Sequence, residues 1–471
     1  MACHGFLYCI RWIHGYLRVF VVVVLPQIFE MEKMGRGAGM AGIKKLNWLM
    51  VFTMKYTLII FVASFCLPVF GEGKPSSYDA KEYWPGWLGP QRNGWVEGFK
   101  PPKVWPKELK RIWSAKVGAG YGTPLVANDR VYQHARQGED EVLWCLDLKT
   151  GAVKWRKSYR TPFKMGGGGE GHGKGPKSSP VIADGRVFAM SITGTLSAWD
   201  AGTGNLLWRK DYGKRFGKPH PYWGTSGSPV VDGDRVIAHF GNDKAGALMA
   251  LDVKTGRELW SHGKDGTCYS SPRVVEHEGV RQVIEWNHRA LVGVESRTGK
   301  LLWEYPFPHL THNQNMPTPT YHKGQILLGG ENRGVHGLAP QLKDGKWTVQ
   351  HQWSQRGVAL DMSSAVMNDG LLYGFSHFGR GRLFCLDPKD GKILWEGPAR
   401  TGNNVMFLSC PGHVLALINT GELRVIKAQR DRYEVAASWR VAQGGTWAPP
   451  VLLQNGLLTK DTETLTFWAF K

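Results

Sequence analysis

Cysteine is scarce in this chain: seven occur in 471 residues, no two of them adjacent, and beyond position 71 only Cys145, Cys268, Cys385 and Cys410 remain, with no C-x-x-C spacing among them. That pattern calls for no disulfide framework and offers no thiolate metal knuckle. Long apolar runs are also missing. VFVVVVL (Val19 to Leu25) and the stretch within Met54 to Gly71 each fall short of the roughly 20 residues a helix needs to span a bilayer. Acidic residues are in deficit, 39 Asp and Glu against 59 Lys and Arg, for a formal charge of +20. No basic tract interleaved with aromatics accompanies that excess, so a nucleic-acid partner is not expected.

What the chain does have is a repeated phrase. DVKTGRELW (Asp252 to Trp260) returns as DLKTGAVKW (Asp147 to Trp155), DAGTGNLLW (Asp200 to Trp208), ESRTGKLLW (Glu295 to Trp303) and DPKDGKILW (Asp387 to Trp395). An acidic residue can accept backbone N–H bonds at a turn, and the following Gly supplies positive φ, so each copy reads as strand, turn, strand. A second signal precedes these pairs: Ser-Pro or Thr-Pro, a few apolar residues, a two-residue turn and another apolar strand, as in SSPVIADGRVFAMS, GSPVVDGDRVIAHFG and PTPTYHKGQILLGG. The two-residue turn occurs at 128–129, 184–185, 233–234, 278–279, 323–324, 369–370, 411–412 and 455–456. Each repeat therefore holds four short antiparallel strands.

Trp113, Trp155, Trp208, Trp260, Trp303, Trp353, Trp395 and Trp439 form a ruler with steps of 42 to 53 residues. Four-stranded units at that period define a β-propeller. Past Trp439 there is room for three strands, and LKRIWSAKV around Trp113 is a lone fourth. The expectation is an all-β, eight-bladed β-propeller over 107–471, closed by strands from both ends of that span, which removes the open sheet edge. The repeated Trp residues are expected to be wedges between blades rather than ligand contacts. Cys145 and Cys385 fall at one strand position in non-adjacent repeats, so they are expected to be buried apolar residues that cannot pair.

Residues 1–71 differ in kind. MKYTLIIFVASFCLPVFG (54–71) has a Lys, an apolar stretch, a Pro and a small residue to cut after, the pattern of a secretory signal peptide. Residues 1–53 then read as an over-extended start or an N-terminal extension, and 72–106 as a lead-in to the ring. Export to the periplasm or beyond is expected. Cys66 follows Phe65 rather than a small residue, which disfavours a lipid anchor. Without residues 1–71 the balance is 52 basic to 37 acidic residues, about +15, a field suited to acidic protein surfaces or anionic glycans.

In a four-stranded blade, the loop between the second and third strands and the loop to the next blade share one face, while the Thr-Gly turns share the other. His172, His220, His262, His288, His309, His312, His336 and His377 sort to the first face, with Arg215, Arg289, Arg333, Arg380 and Arg400. Loops held by a rigid scaffold carry function, so this face is the candidate. The ligand-contact candidates are Glu285, Asn287, His288 and Arg289, read as one polar loop, with Arg333, His336, His377 and Arg380; each is equally a residue type that solvates an ordinary loop. HLTHNQN (309–315) offers an H-x-x-H spacing, and no metal set is assigned. GGGEGHGKG (167–175) nearly spells a phosphate loop, but Gly175 stands where Ser or Thr should bind Mg²⁺ and Pro176 follows instead of a helix. It reads as an inter-blade loop.

The D-x-x-T-G-x-x-x-W phrase resembles the repeats of the pyrroloquinoline-quinone-like (PQQ-like) propeller family, from about residue 107 onward, and WPGWLGPQRNG (Trp84 to Gly94) resembles the lead-in of secreted bacterial members. The resemblance implies the propeller fold. It leaves function open, since the family includes quinone-dependent dehydrogenases, an outer-membrane assembly lipoprotein and sensor portions of kinases. The dehydrogenases are characterised by a vicinal Cys pair, a Ca²⁺ held by Glu and Asn, and an Asp base; Glu285, Asn287 and Asp361 are the residues that could be placed in those roles, and the Cys pair is absent. The expectation is a monomeric, non-catalytic binding or scaffold propeller whose partner is an envelope protein or an anionic glycan. The alternative is a PQQ- and Ca²⁺-dependent dehydrogenase.

Overall fold

The computed structural model describes residues 9–13, 16–20, 83–310 and 314–470. It divides into two compact units, Met1–Val69 and Phe70–Lys471. The described part of the first is one antiparallel hairpin, Cys9–Ile13 with Tyr16–Phe20. The signal-peptide reading of 54–71 and His312 lie outside the described residues.

The second unit is eight four-stranded antiparallel sheets, an eight-bladed β-propeller. Blade 1 comprises Leu125–Ala127, Arg130–Gln137, Asp140–Asp147 and Val153–Arg160. Blade 2 comprises Val181–Ala183, Arg186–Met190, Leu196–Asp200 and Leu206–Lys210. Blade 3 follows as Val230–Asp232, Arg235–Gly241, Gly246–Asp252 and Glu258–His262, and blade 4 as Arg273–His277, Val280–Trp286, Ala290–Glu295 and Leu301–Pro306. Blade 5 is Thr320–His322, Gln325–Gly330, Gly334–Lys343 and Lys346–Gln355, and blade 6 Val366–Asn368, Leu371–Ser376, Arg382–Leu386 and Ile393–Glu396. Blade 7 is Val405–Cys410, His413–Ile418, Glu422–Lys427 and Val435–Arg440. Blade 8 joins Val451–Leu453, Gly456–Lys460 and Thr464–Phe470 to Leu109–Lys116 from the other end of the ring, with Ser114 and Thr466 bonded through their hydroxyls.

The repeated phrase is the joint between blades. At Asp147 the carboxylate accepts the Lys149 and Thr150 amides and the Thr150 hydroxyl, each at 3.0 Å, which folds the turn. The indole N–H of the preceding blade's Trp then donates to the residue just after the acidic one: Trp113 to Leu148, Trp155 to Ala201, Trp208 to Val253, Trp260 to Ser296 and Trp353 to Pro388, at 2.8–3.2 Å. The turn glycines Gly151, Gly204, Gly256, Gly299 and Gly391 have φ between +67° and +75°. A Cβ on any of them would stand 2.5–2.7 Å from that same Trp ring. Gly is thus required twice over, by conformation and by contact. Trp303 departs from this scheme. Blade 5 has the long hairpin 334–355 in place of the phrase, and the Trp303 N–H turns back to Gln282 of its own blade at 2.7 Å.

The Ser-Pro and Thr-Pro signals form a second, inner joint. The Thr123 amide donates to the Ser179 hydroxyl, Ser179 to Ser228, Ser228 to Ser271, Ser271 to Thr318 and Thr318 to Ser364, all at 2.9 Å. In blades 2 to 6 a hydroxyl leads the innermost strand and satisfies an otherwise buried N–H of the blade before it. The central channel is occupied by the lead-in segment. Trp84 bridges Val126 of blade 1, Pro85 accepts from Ile182 of blade 2, and Gly94 and Val96 bond Ser409 of blade 7. Arg92, buried, donates to the carbonyls of Ser228, Pro229 and Pro272 at 2.8–3.1 Å. Burial, with the Arg273 guanidinium nearby, lowers its pKa to about 9. At the seam between blades 8 and 1 the buried Lys460 ammonium donates to the carbonyls of Gly120, Asp461 and Thr462. The four cysteines of this unit are free and buried.

Candidate functional site

The loop face is built where second strands end and third strands begin, together with the segments entering each next blade. Glu285, expected in a loop with its neighbours, instead lies in strand Val280–Trp286 and is buried; the loop proper is Asn287–Arg289. The strand runs on because Trp286 is apolar and fully enclosed, its indole N–H donating to the Phe307 carbonyl at 2.9 Å. Glu285 faces His239 of blade 3 and forms an ion pair with its Nδ1, while His239 Nε2 meets the Asp265 carbonyl at 3.1 Å. Burial disfavours the charged His239, but the Glu285 carboxylate and the Asp265 carbonyl outweigh it, so its pKa is raised.

Asn287 closes its own turn, its Oδ1 accepting the Arg289 and Ala290 amides at 2.8 and 2.9 Å. Asn315 donates to the Asn287 carbonyl at 2.7 Å and accepts from Arg333 Nη2 at 2.6 Å. Arg333 also donates to Pro308 and lies over the rings of Trp286 and Phe307, 5.1 and 4.6 Å from their centroids. Burial lowers its pKa to about 10. His336 holds the Arg333 carbonyl through Nε2 at 2.8 Å and meets the Ser354 hydroxyl and His351 through Nδ1. His288 contacts the Cys268 thiol at 3.6 Å, and its ring stands edge-on to His309 at 3.6 Å between centroids. Six expected residues, Glu285, Asn287, His288, Arg333, His336 and His309, therefore meet at the tops of blades 3 to 5.

His377 lies one blade further on, bonded through Nε2 to Asn332 at 2.9 Å, with Nδ1 buried and unbonded. Burial lowers the pKa of His309, His336 and His377, which keeps these rings neutral near pH 7. Asp361 is raised to about 6 by burial and the Glu331 carboxylate. Arg289 points outward to Asp265 and Glu304 at 3.3 and 3.6 Å, and Arg380 is exposed at a left-handed position, φ +60°. Arg215 pairs with Glu258 at 2.9 Å, and Arg400 is exposed on the loop beside Gly379. His172 sits edge-on to Trp447 at 4.6 Å, and His220 packs on Phe163 at 5.1 Å. The 167–175 stretch forms a single turn of 3-10 helix, Glu170–His172, and binds back to Tyr222 and Trp223.

The residues proposed for Ca²⁺ do not suit it. Asn287 has spent its side-chain oxygen on two amides and Glu285 has spent one of its two on His239. Among the described residues no three His, Cys, Asp or Glu side chains converge as metal ligands. Sequence reasoning missed His239 and Asn315. His239 sits in RVIAHFG, an apolar strand where His reads as filler, and its partner is 46 positions away.

Ring, phrase and joints define a PQQ-like repeat propeller. The family model described as outer membrane protein assembly factor BamB matches residues 107–170 and 160–397, more than half of the sequence, and the chain belongs to that family. A protein named outer membrane protein assembly factor BamB from Burkholderia pseudomallei is 26% identical over 357 residues, covering 65% of this chain and 87% of its own. A quinohemoprotein alcohol dehydrogenase, ADH-IIG, from Pseudomonas putida is 28% identical over 158 residues, but that is 32% of this chain and 21% of the enzyme. Among solved structures, BamB from Moraxella catarrhalis superposes with a TM-score of 0.56 at 15% identity, over 77% of this chain and all of its own. At that identity the likeness is one of fold.

Proposed function

We propose that this protein is an exported, non-catalytic docking propeller that binds a protein of the cell envelope through its loop face. One observation carries the reading: at the tops of blades 3 to 5 Glu285, Asn287, Asn315, Arg333 and His336 bond one another, His239 and loop backbone, while Arg215, Arg289, Arg380 and Arg400 stand exposed on the same face. A rigid polar base under a rim of guanidinium groups suits capture of an acidic protein surface, since rim charges steer encounter. Relatives named for outer membrane protein assembly, matched over most of their length, support the same reading. Export rests on the 54–71 pattern and places the partner in the periplasm or on a membrane surface.

The test is co-purification with, and binding kinetics to, the β-barrel assembly proteins of its own envelope. An Arg289→Glu/Arg380→Glu variant is expected to lose at least about tenfold in association rate at low salt. Lys254→Glu, on the Thr-Gly face, should leave it unchanged. Equal behaviour of the two variants would overturn the assignment. The dehydrogenase alternative is checked by thermal shift with pyrroloquinoline quinone and Ca²⁺, where a ligand at 100 times its Kd stabilises by about 2.7 kcal/mol; no upward shift is expected.

A further inference from the structure

We infer that the outer edge of blade 5 receives an extended strand of a partner polypeptide, a surface separate from the loop face. A propeller leaves the outermost strand of every blade unpaired along one side, and natural sheets guard such edges with charge, Pro or brevity. Seven edges here follow that practice. Val153–Arg160 carries Lys154, Arg156, Lys157 and Arg160, and Leu109–Lys116 carries Lys110, Arg111 and Lys116. The outer strands of blades 2, 3, 4, 6 and 7 are four to six residues long. Blade 5 is different. Its outer strand Lys346–Gln355, KWTVQHQWSQ, is ten residues long and has Lys346 as its one Lys, Arg, Asp or Glu.

The hairpin's register shows which groups are open. The turn Asp344-Gly345 has positive φ at both positions, +48° and +72°, so Lys343 and Lys346 close it as a hydrogen-bonded pair. Alternation then sends the backbone N–H and C=O of Trp347, Val349 and His351 away from strand Gly334–Lys343. Among the described residues no further strand pairs with Lys346–Gln355 on that side. The hairpin's other edge is guarded. Pro340, directly opposite Val349, has no N–H to offer, and its carbonyl accepts the His277 Nε2 proton at 2.8 Å. The hairpin is also braced on blade 4, with Trp347 5.8 Å from the His277 ring and His351 stacked on Tyr305 at 6.4 Å. An edge held straight before binding loses little entropy when a strand is added.

Charge selects the occupant. Each copy of this chain carries +20, so pairing two copies edge to edge is repulsive, whereas a neutral or acidic extended segment is attracted to an edge whose turn is flanked by Lys343 and Lys346.

The experiment uses the full chain and a probe peptide, acetyl-Glu-Val-Thr-Val-Glu-Val-Thr-amide, with hydrogen exchange read at individual amides. Saturating peptide is expected to slow exchange at Trp347, Val349 and His351 by at least about tenfold, equivalent to about 1.4 kcal/mol. N-methylating alternate peptide amides should abolish that protection. Val349→Pro, which removes an outward N–H without touching the ladder, should abolish it too, and Gln350→Glu, an exposed substitution that sets a carboxylate beside the acidic probe, should weaken binding about threefold. Arg289→Glu/Arg380→Glu should leave it intact, so failure of the loop-face reading is distinguishable from failure here. No protection, or protection indifferent to N-methylation, would overturn the inference. Protection that rises with protein concentration alone, alongside a dimer in light scattering, would make the occupant a second copy and overturn the partner assignment.

Discussion

The two faces of this ring are made by opposite rules. On the Thr-Gly face the same solution is written five times: an acidic residue folds the turn, Gly admits the neighbouring Trp, and the indole N–H ties one blade to the next. On the loop face no such phrase recurs: Glu285 pairs with His239 of the neighbouring blade, and Asn315 and Arg333 tie together the loops at Asn287, Pro308 and Asn315. Repetition therefore carries stability, and departure from it carries what is particular to this protein.

Substitutions sharpen that contrast. The largest effect is expected on the repeated face: Trp208→Ala or Trp260→Ala removes a buried wedge and its inter-blade hydrogen bond, costing about 3–5 kcal/mol in chemical denaturation. An unchanged midpoint would refute the wedge role. An intermediate effect lies at the seam. Burial lowers Lys460 to about 7, against Asp461 and Glu463, which raise it. The unfolded chain binds that proton up to its ordinary pKa of about 10.4, so between pH 7 and 10 the unfolded state holds more protons and Lys460 adds stability as pH rises, at most about 1.4 kcal/mol per unit. Below pH 7 both states are protonated and the burial cost is fully present. Subtracting the stability curve of Lys460→Met should isolate this slope; a flat difference would contradict the burial. The smallest effect is expected on the loop face, where Arg289→Ala should stay within about 0.5 kcal/mol in the same assay, its ion pairs being solvent-exposed.

The same contrast explains what could be read in advance. Blade number, four-strand make-up and closure by Leu109–Lys116 follow from Trp spacing and turn residues, which are local signals. The eight two-residue turns were legible for the same reason, and five of them have positive φ at both positions. The Ser-Pro signal was read as strand-start chemistry, and its role as an inter-blade latch was not visible, because each hydroxyl serves an amide 43 to 56 positions away. Arg92 is the extreme case. In WPGWLGPQRNG it looks like an ordinary loop cation, yet its acceptors lie 136 to 180 residues downstream. At the candidate site the residue types could be sorted to a face by strand order, but which of them meet depends on loop paths that no periodicity encodes.

The hydrogen bond between Ser114 and Thr466 spans 352 residues, and among the described residues its sheet is the one in the ring whose strands are not consecutive in the chain. A strand made early must wait, its edge unsatisfied, until nearly all of the remaining chain has been produced. Non-local closure of that kind slows folding. During that interval the propeller is an open arc with two exposed blade faces, so its vulnerability to proteases and aggregation is concentrated before the ring shuts, and chaperone dependence should track the length of that wait.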